Sequence, residues 1–415
     1  MTILGGLSLL LFVLVWVRTA WVCDDAYITF RCVDNAVHGH GLVFNVGERV
    51  QAYTHPLWML LHLPFQALVG DPYWSTLAIS LLMSLTSLVI LARGIHSPMA
   101  WIAIPLVGIA SKAFVEYASS GLENPLTVLL LVAFAAMWAR KVHSPKRIRN
   151  LALLASLMLL NRMDTVLLIG PALAVAFWQE RSWVAFRSLV VGLIPFIGWE
   201  IFSIIYYGFP FPNTAYAKLG TGIATSKLLA MGFAYFKDSL HRDPVTLPTI
   251  LAGLIAAMLR RRHWPLALGI AFYMVYICRI GGDFMSGRFF VAPFVMAVLL
   301  IGKWAMNQKY ALGLWAALAT IVGLLGPTPM LWNPNRVLSA SETVNHAGIA
   351  DERAYFYAGT GLANALLGRS MPDFRWVETG KAVKQEPTRV RVIGAIGFIG
   401  YYAGPEKYII DPLAL

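Results

Sequence analysis

Asp24 and Asp25 stand side by side in VCDDAYITFR (22–31), where an apolar run covering most of positions 2–20 has just ended. Two carboxylates at the edge of such a run are costly to keep charged unless they are used. General-base chemistry fits. One carboxylate would take the proton of an attacking hydroxyl from within about 3 Å, and its neighbour would hold the site or bind the acceptor. Partial desolvation beside a like charge raises the pKa of such a group. The competing reading is an acidic cap on the amphipathic AYITFR. A cap needs only one aspartate, so the pair favours chemistry.

Four basic residues could serve the same chemistry: Lys112, Arg162, Lys218 and Arg288, each close to the end of an apolar segment. Arg and Lys are natural partners of a lipid-linked phosphate, although each might instead snorkel to lipid headgroups. Arg162 stands out because it falls between two short helices beside Asp164, and Arg288 because it lies in a Gly-rich turn five residues after Asp283. The loop YYGFPFPNTAYAK (206–218) sets aromatics and two prolines around Asn213, which suits a sugar ring better than a simple interfacial belt. Tyr53 and His55 in YTH (53–55) are candidates for holding a hydroxyl-bearing acceptor, with a structural histidine the even alternative. Glu123 in SSGLE reads more readily as a helix N-terminal acid than as a catalyst.

No P-loop, HExxH or nucleotide-binding GxGxxG in a βαβ setting occurs, so an activated donor would come from the membrane. No cofactor is required. The acidic pair leaves a divalent ion open, but no ligand set demands one. Of the three cysteines, Cys23 and Cys32 share a loop in which a disulfide is allowed, with buried free thiols the plainer expectation.

These residues need membrane elements to position them. The 415-residue chain is 58% hydrophobic and 13% charged, with a mean hydropathy of +0.65, against about 25% charged residues in soluble domains. Its net charge of +12 is gathered in short loops between apolar runs, which points to cytoplasmic loops and anionic lipid and away from nucleic acid. Apolar runs recur at 2–20, 74–92, 99–114, 122–139, 151–160, 165–178, 187–207, 246–259, 264–280, 288–302 and 309–330. The first is longer than a signal-peptide core and is read as a retained anchor. With 56–70 lying in the interface, the basic loops predict about eleven crossings, the amino terminus inside and the carboxy-terminal segment outside. Several runs are shorter than the ~20 residues needed to cross, as in helices lining a protein-walled cavity. The candidate residues then converge on the outer face. Positions 1–331 form the expected transmembrane catalytic domain, with a first outer loop at about 21–73. Positions 332–415 form an expected small periplasmic α/β domain, strand, Gly-rich turn and strand, expected to be incomplete.

Seven stretches occur in order along nearly the whole chain: DDAYITFR, HGHGLVFN with GERV and AYTHPLW, SSGLENPL, YYGFPFPNTAYAKLG, GGDFMSGRFF, GIADERAYFY and GAIGFIGYYAGPEKYIID. In these the sequence resembles the polyprenyl-phosphate-dependent integral-membrane glycosyltransferases of the GT-C superfamily. Within it, the resemblance is to the group of mycobacterial terminal β-(1→2)-arabinofuranosyltransferases and their bacterial relatives. It implies a GT-C fold in a bacterial cytoplasmic membrane, with the active site facing the periplasm. The implied donor is a polyprenyl-phosphate sugar such as decaprenyl-phosphoryl-arabinofuranose, and the acceptor is a hydroxyl on glycan, lipid or protein. Carried onto this chain, Asp24 and Asp25 match the catalytic acidic pair, with Asp24 expected as base. Asp283 and Arg288 match a Gly-Gly-Asp-Phe-Met motif, and Asn213 and Lys218 a Pro-Asn-Thr motif. NRMD (161–164) departs from the Arg-Pro-Asp expected there, and the family usually continues beyond IID. The alternatives are a transporter or flippase of a lipid-linked sugar, which would leave the sugar unchanged, and a non-catalytic assembly protein.

Overall fold

The computed structural model describes residues 3–140, 144–218, 222–306, 308, 310–336 and 338–412, the side chains of 217 and 218 excepted. It is a helical assembly. The apolar Ile3–Thr19 (α1) ends the first run, and an extended Cys23 turns the chain into Asp24–Val37 (α2), 88° away. Polar residues throughout α2 make it a helix lying across the end of the bundle, not a crossing. Pro56–Val69 (α3) follows, with Pro64 inside it. Next comes Pro72–Ile95 (α4), started by Asp71, whose carboxylate accepts from the Tyr73 amide at 2.9 Å. Ala100–Ala110 (α5) and Lys112–Tyr117 (α6) lead to three packed helices: Asn124–Trp138 (α7), Pro145–Asn161 (α8) and Val166–Glu180 (α9).

Trp183–Tyr207 (α10) packs along α8, where Gly192 meets the Arg149 carbonyl so closely that a Cβ would not fit. Its other face exposes Val190, Ile194, Ile197, Ile201 and Ile205, as a helix immersed in lipid does. Asn213–Lys218 (α11) is followed by Thr225–Arg242 (α12), bent 104° against Thr246–Leu259 (α13). The sequence reading contained no helix at 225–242, because its polar residues break the apolar pattern on which the runs were chosen. Trp264–Arg279 (α14) packs on α9 through Gly269, and Val291–Ala305 (α15) lies at the centre with almost every residue buried. Ala311–Leu325 (α16) packs on α5.

By length and composition, three described helical segments can cross a membrane, at Pro72–Ile95, Trp183–Tyr207 and Arg288–Ala305, or five counting the two bent pairs. Most other apolar runs form helices of 11–17 residues, the short kind that needs protein or a cavity around it.

The last segment contains Ala340–Thr343 (α17), Glu352–Thr360 (α18), Leu362–Leu366 (α19) and Arg375–Gln385 (α20), then Val390–Val392 (β1), Gly397–Ala403 (α21) and Tyr408–Ile410 (β2). The two strands pair in parallel, Val390 opposite Tyr408. A parallel pair needs a crossover, so the expected Gly-rich turn between them is in fact the helix α21. This segment packs on α2. Tyr27 of α2 meets the Phe398 ring at 4.5 Å and the Tyr401 ring at 5.3 Å.

Candidate active site

The expected base, Asp24, has a structural task. Its carboxylate accepts from the amides of Phe398 at 2.6 Å and Gly397 at 3.1 Å, holding the start of α21. Seven residues on, Arg31 holds the other end, donating to the carbonyls of Gly400 and, at 2.7 Å, Lys407. The acid faces the positive end of α21 and the guanidinium its negative end, as the helix dipole favours. Burial, with the Asp25 charge adding to it and the two amides opposing, pushes the Asp24 carboxyl up to about 7. Asp24 does not cap AYITFR, whose helix has Cys23 at its N-cap with no side-chain hydrogen bond; its carboxylate serves a helix start 373 residues away in sequence. Asp25 is half-buried and acts electrostatically on Arg288 and Glu352.

Glu123, read as a helix-starting acid, is the hub of the site. Its carboxylate is 1% exposed and accepts from Arg162 Nη1 at 2.9 Å and from Arg288 Nη2 at 3.1 and 3.2 Å. His55 Nδ1 lies 3.4 Å away, and its Nε2 is 2.7 Å from the Thr29 hydroxyl of α2. Burial alone would raise the Glu123 pKa, but Arg288, His55 and Arg162 hold it well below the usual carboxylate range. Burial drives His55 down to about 4 against the pull of Glu123. That histidine is neutral near pH 7 and ties α2 to the hub.

The hub positions both arginines. Arg162, at the end of α8, is gripped by Asp164 at 3.0 and 2.5 Å and lies over the Phe289 ring at 4.7 Å. The Met163 that stands for an expected proline leaves this ion pair intact. Arg288 follows the left-handed Gly287 in a short 3-10 turn, with Asp283 3.7 Å away, too far for a hydrogen bond. Arg288 Nε and Asp283 Oδ2 are buried without a hydrogen-bond partner, a state that folded proteins rarely leave unanswered. Glu352, unassigned in the sequence reading although GIADERAYFY contains it, starts α18. Burial, then Asp25, Asp283 and Asp24, push its pKa well up. Asp25 and Asp283 thus act on both Arg288 and Glu352.

Other expected members lie elsewhere. Lys112 is buried between Glu116 at 2.5 Å and Asp351 at 2.9 Å, so its charge is already matched in a neighbouring network. Tyr53 is 1% exposed, with its hydroxyl 2.6 Å from that of Tyr207, inside an apolar cluster. The Asn213 amide donates to the Gln51 carbonyl at 3.0 Å, fastening the 206–213 loop to the segment before α3. The Lys218 side chain lies outside the described residues. Cys23 and Cys32 are buried free thiols. Among the described residues no cluster of His, Cys, Asp and Glu could hold a metal ion.

This assembly of short apolar helices around a buried arginine–glutamate cluster shares its fold with solved structures of GT-C glycosyltransferases. Its structure matches that of ArnT from Cupriavidus metallidurans bound to undecaprenyl phosphate, with a TM-score of 0.61 at 15% identity, over 99% of this chain and 85% of that one. In sequence it is similar to the terminal β-(1→2)-arabinofuranosyltransferase of Mycobacterium tuberculosis, 29% identical over 86% of this chain and 66% of that protein. The enzyme of the same name from Corynebacterium glutamicum is also 29% identical, over 69% of this chain and 48% of its own length. The chain thus spans about half to two thirds of these relatives' length. No protein-family model matches it.

Proposed function

We propose that the chain is a multi-pass membrane glycosyltransferase that moves a sugar, arabinofuranose by its relatives' name, from a polyprenyl phosphate to an acceptor hydroxyl on the periplasmic side. The observation that carries this reading is the Arg162–Glu123–Arg288 cluster, with Arg288 Nε unpartnered beside Asp25 and Asp283. Arg288 and Arg162 bind the phosphate of the donor, and Glu123 keeps the two cations together while the site is empty. Lys218 is a further cation for the phosphate by its place in the Pro-Asn-Thr motif, and Asn213 of the same motif contributes to sugar binding. Asp25 takes the proton, because Asp24 is committed to the amides of α21. The acceptor oxygen forms its bond to the anomeric carbon as the bond from that carbon to the phosphate oxygen breaks. The proton passes to Asp25, and polyprenyl phosphate leaves already charged and matched by arginine. Attack opposite the leaving group inverts the anomeric centre. Glu352 and Asp283 hold acceptor hydroxyls.

The test uses purified protein, synthetic polyprenyl-phosphoryl-arabinofuranose and an arabinan acceptor. Wild type should yield glycosylated acceptor, and Asp25→Asn should lower turnover by roughly 10²–10⁴ with the folded state retained. Donor that crosses a vesicle unchanged would establish transport instead. Wild-type turnover in Asp25→Asn would remove Asp25 as base.

A further inference from the structure

The helices that carry the arginine–glutamate cluster at one end enclose a second cationic cavity at the other. Helix α7 runs from the hub at Glu123 to Trp138, and α8 runs back from Arg147 to Arg162. At 1.5 Å per residue the two sites are roughly 22 Å apart. This second cavity, of about 500 Å³, is lined by Trp138, Arg140, Arg147, Gln179, Arg262 and Trp264 among others, and none of its lining residues is acidic.

Helix capping explains part of the arrangement. Arg147 Nη2 donates to the Trp138 carbonyl at 2.6 Å, and Arg262 Nη2 to the Ala139 carbonyl at 3.1 Å, as cations at a helix C-terminus do. Capping leaves Arg147 Nε buried without a partner in a side chain that is itself buried, and it leaves Arg140 exposed at the mouth. Glu180 acts on Arg147, but it lies outside the cavity wall. The Trp138 indole donates to the Ala172 carbonyl at 2.9 Å, so its ring offers the cavity an apolar face. Trp264, Trp178 and Trp183 stand exposed at the ends of α14, α9 and α10, the pattern of an aromatic belt at a lipid interface.

We infer that this cavity binds a phosphate ester bearing a small polyol. The phosphate accepts from Arg147 Nε and from Arg140 and Arg262, Gln179 meets a hydroxyl, and the tryptophans cover the apolar part. The same chemistry is offered by an anionic lipid headgroup and by a soluble phosphate ester. Native mass spectrometry of the full chain with short-chain phosphatidylglycerol, and with glycerol 3-phosphate as competitor, tests it. Wild type should retain one phosphatidylglycerol that survives Arg288→Gln in the distant cluster. Arg140→Glu, at an exposed position, and Arg147→Gln should each lower its occupancy at least tenfold. Displacement by glycerol 3-phosphate would assign the cavity to soluble esters, and resistance to it would assign the cavity to lipid. Wild-type occupancy in both variants, or no binding of either probe by wild type, would overturn the inference.

Discussion

At the scale of single residues, the acidic pair divides its labour by burial. Asp24 is folded with a pKa of about 7 against an ordinary 3.8, so between those values the folded chain binds more protons than the unfolded one. Its contribution therefore weakens as pH rises from about 4 to about 7. Asp24→Asn should flatten that fall: the variant should lose less thermal stability than wild type between about pH 5 and pH 8. Glu352, also raised, supplies a residual slope of the same sign. Asp24→Ala removes the acceptor of both amides and should cost about 1–2 kcal/mol near pH 4 and less as pH rises. Glu123→Gln leaves two buried guanidinium groups without their shared carboxylate. It should destabilise the chain by about 3–5 kcal/mol, measured as a drop in denaturation midpoint, with transfer lost.

Helix α2 shows what one element can coordinate. Its first residue and its eighth hold the two ends of α21, Tyr27 between them packs on the aromatic rings there, and Thr29 reaches His55. Docking of the last segment and geometry of the hub therefore share one helix. Gly397 is the tight point, because a Cβ there would overlap the Asp24 carbonyl. Gly397→Ala should raise hydrogen exchange at 397–403 and at 24–31 together, while α7 and α8 stay protected. Exchange rising at 397–403 alone would mean that the two helices are not coupled.

For the whole molecule, the cluster lies where α2, α8, the start of α7 and the turn before α15 meet. Its three charged side chains come from positions 39 and 165 residues apart in sequence. A site assembled from so many elements should stiffen when the ligand arrives. Polyprenyl phosphate at a hundredfold excess over its Kd should stabilise the fold by about 2.7 kcal/mol. The rise in Tm should vanish in Arg288→Gln and persist in Arg140→Glu.

The apolar runs, the basic loops and the residues at their ends were legible in the sequence, because burial in lipid and the cost of a charge at its edge act on each segment locally. That is why Asp24, Asp25, Arg162 and Arg288 stand out in the sequence. Glu123 reads as a helix-start acid and does stand at the start of α7, but its contacts with two arginines and a histidine come from distant positions that no local pattern shows. The segment around Gly397 read as a turn because its glycines favour one, and it became a helix because a carboxylate far away in sequence caps it. Which aspartate holds the start of α21 was decided by the tertiary structure alone: the two residues are chemically identical, and only packing against α21 gives Asp24 its two amide partners.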